Sequence, residues 1–343
     1  MPTHFTPLGT RGATTRYLAL DARGILNPPA ATGMRFWSLN PYVGCEFGCA
    51  YCYARETHRW TIDRAANQRP PLPTAREAAA LPSAQAFERR ILVKEDAAAL
   101  LRRDLHPARL DGLPIVIGSA TDPYQPAERR FKLTRALLEV FAEYRGLHLS
   151  IITKSALVAR DATLLAELAR RHRVSIHISL AALDAALLRQ LEPRTPTPKA
   201  RLGAMRRLAD AGVPVGLLIA PILPGLTDDT VTLGTLLAAA REAGANWAGG
   251  GPLRLGPATR HTLFPWLLRH RPLLARRYRE HYGDRRGVTK TYADALNARL
   301  RTLMDRLGTL MDRLGYDPRE GMRREEELRT PSPGAGQLAL FEG

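Results

Sequence analysis

A chain of 343 residues with 45% apolar side chains has room for one large α/β domain or two ordinary ones, and is too long to be a disulfide-stapled mini-domain. No run approaches the ~20 apolar residues that cross a membrane, and the opening Met-Pro-Thr-His-Phe lacks the plan of a secretory signal, so a cytoplasmic protein with no membrane partner is expected. The formal charge of +17 argues for polyanionic partners, nucleic acid first.

In chain order, residues 1–34 carry Gly, Pro, Thr and Ala without sustained periodicity and read as an extended leader with a short strand at Tyr17–Leu20. No catalytic residue is expected there. Phe36–Leu39 is apolar, ends at Asn40-Pro41 and reads as the strand that delivers the next stretch, which holds all three cysteines: Cys45, Cys49 and Cys52. The spacing C-x3-C-x2-C gathers three soft thiolates, and Gly44 and Gly48 let the backbone curl around one centre. Three ligands leave a coordination position open, the mark of a reactive rather than a purely structural metal site. An odd count excludes a closed disulfide framework, whereas a Cys3His zinc site completed by His58 uses the same residues and stays open.

From Arg55 to Pro82 the chain is polar and proline-interrupted, a partly helical excursion ending in a loop. Ile91–Val93 reads as a short extended piece and Glu95–Leu105 as a helix. Strand and helix then alternate: Pro114–Gly118, Leu147–Ile152, Val174–Leu180, Pro214–Ala220 and Asn246–Leu253 as strands, with helices at Glu128–Tyr144, Asp161–His172, Lys199–Ala211 and Asp228–Ala243. Asp161 is placed to cap its helix. With the cysteine strand this makes six βα units, hence parallel strands whose C-terminal loops carry the chemistry. Thr262–Tyr282 is a basic helical stretch broken or kinked at Pro272, and Val288–Leu314 is a further helix. Within it Thr302–Gly308 is repeated at once as Thr309–Gly315, a tandem duplication of nearly two helical turns that keeps the leucines on related faces.

The motif Cys45-Glu-Phe-Gly-Cys-Ala-Tyr-Cys-Tyr53 resembles the radical SAM signature C-x3-C-x-aromatic-C, and within that superfamily the spore photoproduct lyase and DNA repair photolyase branch, where a tyrosine also follows the last cysteine. The resemblance covers roughly residues 35–255. It implies an α/β fold built as a partial (β/α)6 TIM-like barrel, a [4Fe-4S] cluster on Cys45, Cys49 and Cys52, S-adenosylmethionine on the remaining iron, and release of a 5'-deoxyadenosyl radical. It implies that Lys154 meets the S-adenosylmethionine carboxylate and Ser179 is the polar contact of the fourth strand. Ser119, Thr121 and Asp122, in the small-residue loop Gly118–Glu128, suit the cofactor's amine and ribose. Glu192–Pro198 and Ala220–Asp228 resemble segments of the same branch, the second near the adenine; either also reads as a rigid proline turn. His177 reads as a packed core histidine.

Tyr51 and Tyr53 match tyrosines implicated in radical relay in the branch, which makes them the candidate catalytic residues. The branch's hydrogen-donating cysteine has no counterpart, since every cysteine lies in the loop and Ser119 stands where that thiol would be. Spore photoproduct reversal itself is therefore not expected. Residues 256–322 form a helical C-terminal extension and residues 323–343 a flexible tail, in which Thr330–Gly336 has linker composition and Gln337-Leu-Ala-Leu-Phe341 resembles the peptide that docks bacterial repair proteins on the DNA polymerase sliding clamp, through Gln337, Leu338, Leu340 and Phe341. Taken together these features describe a radical SAM enzyme acting on nucleic acid and fed by an electron donor such as flavodoxin or ferredoxin. The alternatives are a radical SAM enzyme modifying a protein or small molecule, and a nonenzymatic Cys3His DNA-binding protein.

Overall fold

The computed structural model describes residues 5–58 and 83–306. Its elements begin with β1 (Phe5–Arg11), β2 (Thr15–Leu20), β3 (Leu26–Asn27), a single turn α1 (Pro29–Thr32), β4 (Trp37–Leu39) and β5 (Tyr42–Val43), followed by α2 (Ser83–Arg89), β6 (Arg90–Val93) and α3 (Ala97–Asp104). The alternating part comprises β7 (Ile115–Ile117), α4 (Glu128–Phe131), α5 (Leu133–Phe141), β8 (His148–Thr153), α6 (Ala162–Arg171), β9 (Arg173–Ser179), α7 (Ala185–Leu191), α8 (Pro198–Asp210), β10 (Val215–Ile222), α9 (Thr230–Glu242) and β11 (Ala248–Pro252). Three helices follow the last strand: α10 (Pro257–His270), α11 (Pro272–Tyr282) and α12 (Lys290–Arg306).

β4, β7, β8, β9, β10 and β11 lie side by side in chain order, every pair parallel, which is the expected six-unit partial TIM-like barrel. Among the described residues the sheet is open, ending at β11 on one side and on the other at β3, which pairs antiparallel with β4. β7 and β10 are near-continuous apolar runs because a parallel sheet is covered on both faces. Ile115, Ile117, Ile151, Ile176, Ile178, Leu217 and Ile219 share one core with Leu137, Leu138 and Phe141 of α5, Met205 and Leu208 of α8, and Leu233, Leu236 and Leu237 of α9. Because every pair is parallel, the C-terminal ends of all six strands come to one rim.

Several expectations need correction. The leader is no passive extension: β1 and β2 form a hairpin, β2 pairs in parallel with β6, and β5 closes a four-stranded second sheet. The expected helix Glu128–Tyr144 is two, because Lys132 adopts a left-handed conformation (φ 52°) between them. Asp161 does not cap α6; its buried carboxylate accepts from Arg135 Nη1 (2.9 Å) and Arg160 Nη2 (2.7 Å) instead, since two guanidiniums outcompete a backbone amide. The helix expected from Asp228 begins at Thr230, with Asp229 as its cap through Thr232 N (2.8 Å), while Asp228 accepts from the Tyr292 hydroxyl (2.6 Å). Helix α7 went unanticipated because its seven residues are too few to display a period, although Asp184 caps it through Ala186 N and Leu187 N, both at 2.9 Å. The basic stretch is broken as expected: α10 ends at His270 and Pro272 opens α11, where a missing N–H costs nothing. Residues 59–82, the second copy of the tandem repeat and the tail with Gln337, Leu338, Leu340 and Phe341 lie outside the described residues. Among the described residues no helix is long and apolar enough to cross a membrane.

Candidate active site

The cysteine loop leaves β5 and folds on itself through two left-handed glycines, Gly44 (φ 86°) and Gly48 (φ 65°). A Cβ on Gly44 would stand 2.8 Å from the Phe87 carbonyl oxygen, so the position has neither the conformation nor the space for another residue. Backbone groups of the loop are held from several sides. Cys45 N donates to Phe87 O (2.9 Å) and Ala50 N to Leu191 O (2.8 Å). Gly44 O accepts from Thr121 Oγ1 (2.5 Å) and Gln125 Nε2 (3.1 Å), and Gln125 Oε1 accepts from Glu46 N (2.9 Å). Cys49 O accepts from Arg55 Nη2 (3.0 Å), a buried guanidinium that also pairs with Glu88 at 2.8 Å and lies over the Phe87 ring. The buried carboxylate of Glu46 is met by Arg11 (2.5 Å) and by the Tyr17 hydroxyl (3.2 Å), so the N-terminal hairpin grips the loop directly. Helix α10 does so from the other side: Thr262 Oγ1 donates to Ala50 O (2.5 Å) and Thr259 Oγ1 to Cys52 O (3.3 Å).

All three cysteines are free thiols. Burial raises each above the ordinary thiol range, and mutual repulsion with Cys49 and Cys52 adds to this at Cys45. Three such thiols ionise together only when a cationic group sits among them, which suits a metal centre. The donor set, three soft thiolates on one short loop, has the chemistry of an iron–sulfur ligand set. His58, the fourth ligand of the Cys3His alternative, has its Nε2 3.1 Å from Arg90 O and its ring edge-on to Phe87.

The second half of the site lies at the strand ends. Lys154, just past β8, reaches Ser179 Oγ at the end of β9 (2.8 Å) and Glu192 Oε1 (3.3 Å), and lies 5.4 Å from the Tyr51 ring centroid. Burial lowers its pKa to about 8, against the counter-effect of the nearby Cys49. Ser179 Oγ also donates to Ala220 O (3.2 Å), in the segment expected beside the adenine. Glu192 is the residue the sequence did not single out. Its fully buried carboxylate accepts from the Tyr51 hydroxyl, from Arg201 Nη2 and from Thr195 Oγ1 (3.0 Å), besides pairing with Lys154. Arg201, equally buried, extends the network by donating to Ser179 O (2.9 Å). The signal was present in Glu192-Pro-Arg-Thr-Pro, but a proline-rich turn and a carboxylate hub look alike until Arg201 is known to be nearby.

The loop Ser119–Asp122 comes to the same rim with its polar groups turned inward. Ser119 Oγ is 2.6 Å from Ser38 Oγ and accepts from Asn40 Nδ2 (3.0 Å), while Thr121 supports Gly44 as above. Asp122 accepts from Tyr124 N (2.9 Å), Thr153 Oγ1 (2.7 Å) and Lys154 N (2.7 Å), tying the ends of β7 and β8 together. Tyr53 donates to Ser119 O, and with 58% of its surface accessible it is the one exposed residue between Cys45 and Arg55. His177 is the packed core histidine expected: its Nδ1 accepts from Trp247 Nε1 (3.2 Å), and burial lowers its pKa to about 4.

A thiol trio and a lysine–serine pair on one rim of an open parallel barrel define a class, and comparison with known proteins identifies it. The radical SAM superfamily model matches residues 39–233, and the chain belongs to that superfamily, whose members use a [4Fe-4S] cluster and S-adenosylmethionine. It is 35% identical over 279 residues to an uncharacterized protein of Mycobacterium tuberculosis, covering 80% of this chain and 76% of the relative. An uncharacterized protein of Methanocaldococcus jannaschii is 26% identical over 217 residues, covering 63% and 71%. Among solved structures, spore photoproduct lyase complexed with dinucleoside spore photoproduct superposes with a TM-score of 0.59 at 15% identity, covering 85% of this chain and 79% of that one. A mutant of that lyase with bound AdoMet gives 0.53 at 17%, covering 79% and 74%. Likeness at this level is likeness of fold.

Proposed function

We propose that this radical SAM enzyme holds its cluster on Cys45, Cys49 and Cys52, binds S-adenosylmethionine through Lys154 and Ser179, and acts on nucleic acid. When bound, the reduced cluster and S-adenosylmethionine supply a 5'-deoxyadenosyl radical. The observation that carries the reading is the meeting of the thiol trio with the Lys154–Ser179 pair on one rim, bridged by Tyr51 and Glu192. Each residue then has a task set by its surroundings. Glu192 and Ser179 hold the Lys154 ammonium where a ligand carboxylate would be drawn to it. Ser119, Thr121 and Asp122 fix the height of the cysteine loop over the strand ends and keep their own polar groups occupied. Arg55 and Gln125 satisfy loop carbonyls that would otherwise face a dry site. Tyr51, buried, orients Glu192; Tyr53, exposed, is the hydroxyl of the loop that a substrate would meet.

The nucleic-acid substrate rests on the charge of +17 and on the fold shared with spore photoproduct lyase. The reaction differs from that lyase's in its final hydrogen source, because no cysteine exists outside the loop. A small electron carrier such as flavodoxin or ferredoxin would be the reductant, and the sliding clamp a tether through Gln337, Leu338, Leu340 and Phe341. The test is anaerobic reconstitution with iron and sulfide, reduction by dithionite and product analysis after adding S-adenosylmethionine. Formation of 5'-deoxyadenosine is expected; stoichiometric zinc without iron after anaerobic purification would end the proposal.

A further inference from the structure

Helices α10 and α11 have two faces with different tasks. Leu263 and Leu267 of α10, with Ala275, Tyr278 and Tyr282 of α11, pack in the same core as Cys45, Cys49 and Tyr51. The opposite face is cationic: residues 254–286 carry nine arginines against Glu280 and Asp284 alone. Arg269, Arg271, Arg276, Arg277, Arg279 and Arg285 are exposed. Arg269 and Arg277 make no hydrogen bond or ion pair among the described residues, and the pair between Arg276 and Glu280 (2.8 Å) is exposed enough to be exchanged at little cost. In the midst of this charge stands Leu273, 81% exposed at the second residue of α11 and on one face with Arg276 and Arg277, three and four residues on. A leucine held in water beside these cations gains nothing from the fold, but the pairing suits a duplex, whose phosphates meet arginine while an apolar side chain wedges between base steps.

We propose that the outer face of α10 and α11 is the DNA-docking surface of this enzyme, the arginines taking backbone phosphates and Leu273 entering the base stack. The inference rests on the nucleic-acid reading above and names how that substrate is held. An enzyme whose reactive centre lies inside a barrel must take a base out of the duplex, and a wedge beside the helices that grip the cysteine loop lowers the cost of doing so.

The test uses the reconstituted full chain and a fluorescent duplex carrying 2-aminopurine, titrated at several salt concentrations. Arg269→Glu with Arg277→Glu should weaken binding by roughly tenfold or more and flatten the log–log salt slope by about 2, one for each phosphate that is no longer neutralised. Leu273→Ala should keep the salt slope and lose the rise in 2-aminopurine fluorescence. Circular dichroism and substrate-free 5'-deoxyadenosine formation should match wild type in both, which separates docking from folding. Wild type that binds while the double arginine variant binds equally, with an unchanged slope, would overturn the docking surface and leave the nucleic-acid reading standing. Equal fluorescence rises for wild type and Leu273→Ala would remove the wedge. Wild type that binds no duplex at ~50 mM salt, or binds polyglutamate as well as DNA, would overturn both readings.

Discussion

The cysteine loop and the Glu192 hub meet at Tyr51, yet they are built in opposite ways. The loop concentrates its chemistry into eight consecutive residues and borrows support from elsewhere, through Thr121, Gln125, Phe87, Arg11 and Thr262. The hub is scattered along the chain: Glu192 lies between α7 and α8, Lys154 past β8, Arg201 inside α8 and Tyr51 in the loop. A site that binds a cluster needs donors of one kind at short spacing, and such spacing is written in the sequence. A site that fixes the charge of a partly buried lysine needs groups of opposite kind from different elements, and only the fold brings these together.

The largest effect should come from the loop. Changing any one of Cys45, Cys49 or Cys52 to Ala should abolish 5'-deoxyadenosine formation and lower iron and sulfide from about four of each per chain, because no other thiolate exists to replace the ligand. A variant that retains full iron and activity would show that the loop is not the cluster site.

Glu192→Ala probes the other half. It strands Arg201, fully buried, and Lys154, partly buried, without their shared carboxylate, and breaking the buried Arg201 pair in this way costs about 3–5 kcal/mol. The measurement is urea unfolding of the cluster-free chain at neutral pH. A loss under ~1 kcal/mol would mean that water screens the cations and that the hub is not the dry network it looks.

How far each half was legible follows from the same contrast. The six parallel strands, the break at Pro272 and the glycine-turned loop could be read because apolar periodicity, proline and the C-x3-C-x2-C spacing are local. The split at Lys132 could not, since a left-handed lysine has no marker in composition. Nor could the grip of Arg11 and Tyr17 on Glu46, which joins residues 35 and 29 positions apart across the second sheet. Ser119, Thr121 and Asp122 were picked out for their polarity and do reach the rim, but their partners were invisible: Asn40 follows β4, Gly44 opens the cysteine loop and Thr153 ends β8. His177 was read correctly because a strand inside a parallel sheet is covered on both faces, so its second face, here against Trp247, is packed as well.

That histidine gives a third, smaller effect. Its Nδ1 accepts a hydrogen bond from Trp247, so the fold holds the neutral ring, and burial draws its pKa from 6.5 to about 4. Above pH 6.5 neither state is protonated and the full contribution is present. As pH falls the unfolded chain takes up the proton first, so stability is lost between about pH 6.5 and 4, approaching ~3 kcal/mol. Comparing the pH dependence of wild type with His177→Asn isolates this share from His148 and His172, and equal slopes would contradict it. Lys154→Ala should come next, raising the Kd for S-adenosylmethionine roughly tenfold or more through loss of one charge-assisted hydrogen bond while the cluster spectrum stays intact. Unchanged affinity would separate Lys154 from the cofactor and leave it as a partner of Glu192 alone.

The smallest effect on the barrel is expected from the tail. Removing Thr330–Gly343 should leave unfolding, cluster content and 5'-deoxyadenosine formation unchanged, because the proposed task of Gln337, Leu338, Leu340 and Phe341 is association with the sliding clamp. The glutamine amide would bond backbone groups of the clamp cleft while the three apolar side chains fill its pockets. Micromolar affinity, about 8 kcal/mol, would suffice, since a tethered enzyme gains effective concentration on DNA without new base contacts. The segment Thr330–Gly336 has the Pro, Gly and Ser composition of a linker that would let the arginine face of α10 and α11 search nearby duplex. Titrating purified clamp against a peptide spanning Thr330–Gly343, with Leu340→Ala plus Phe341→Ala as control, decides the matter: equal binding of the two peptides would leave the charge on α10 and α11 as the sole route to DNA.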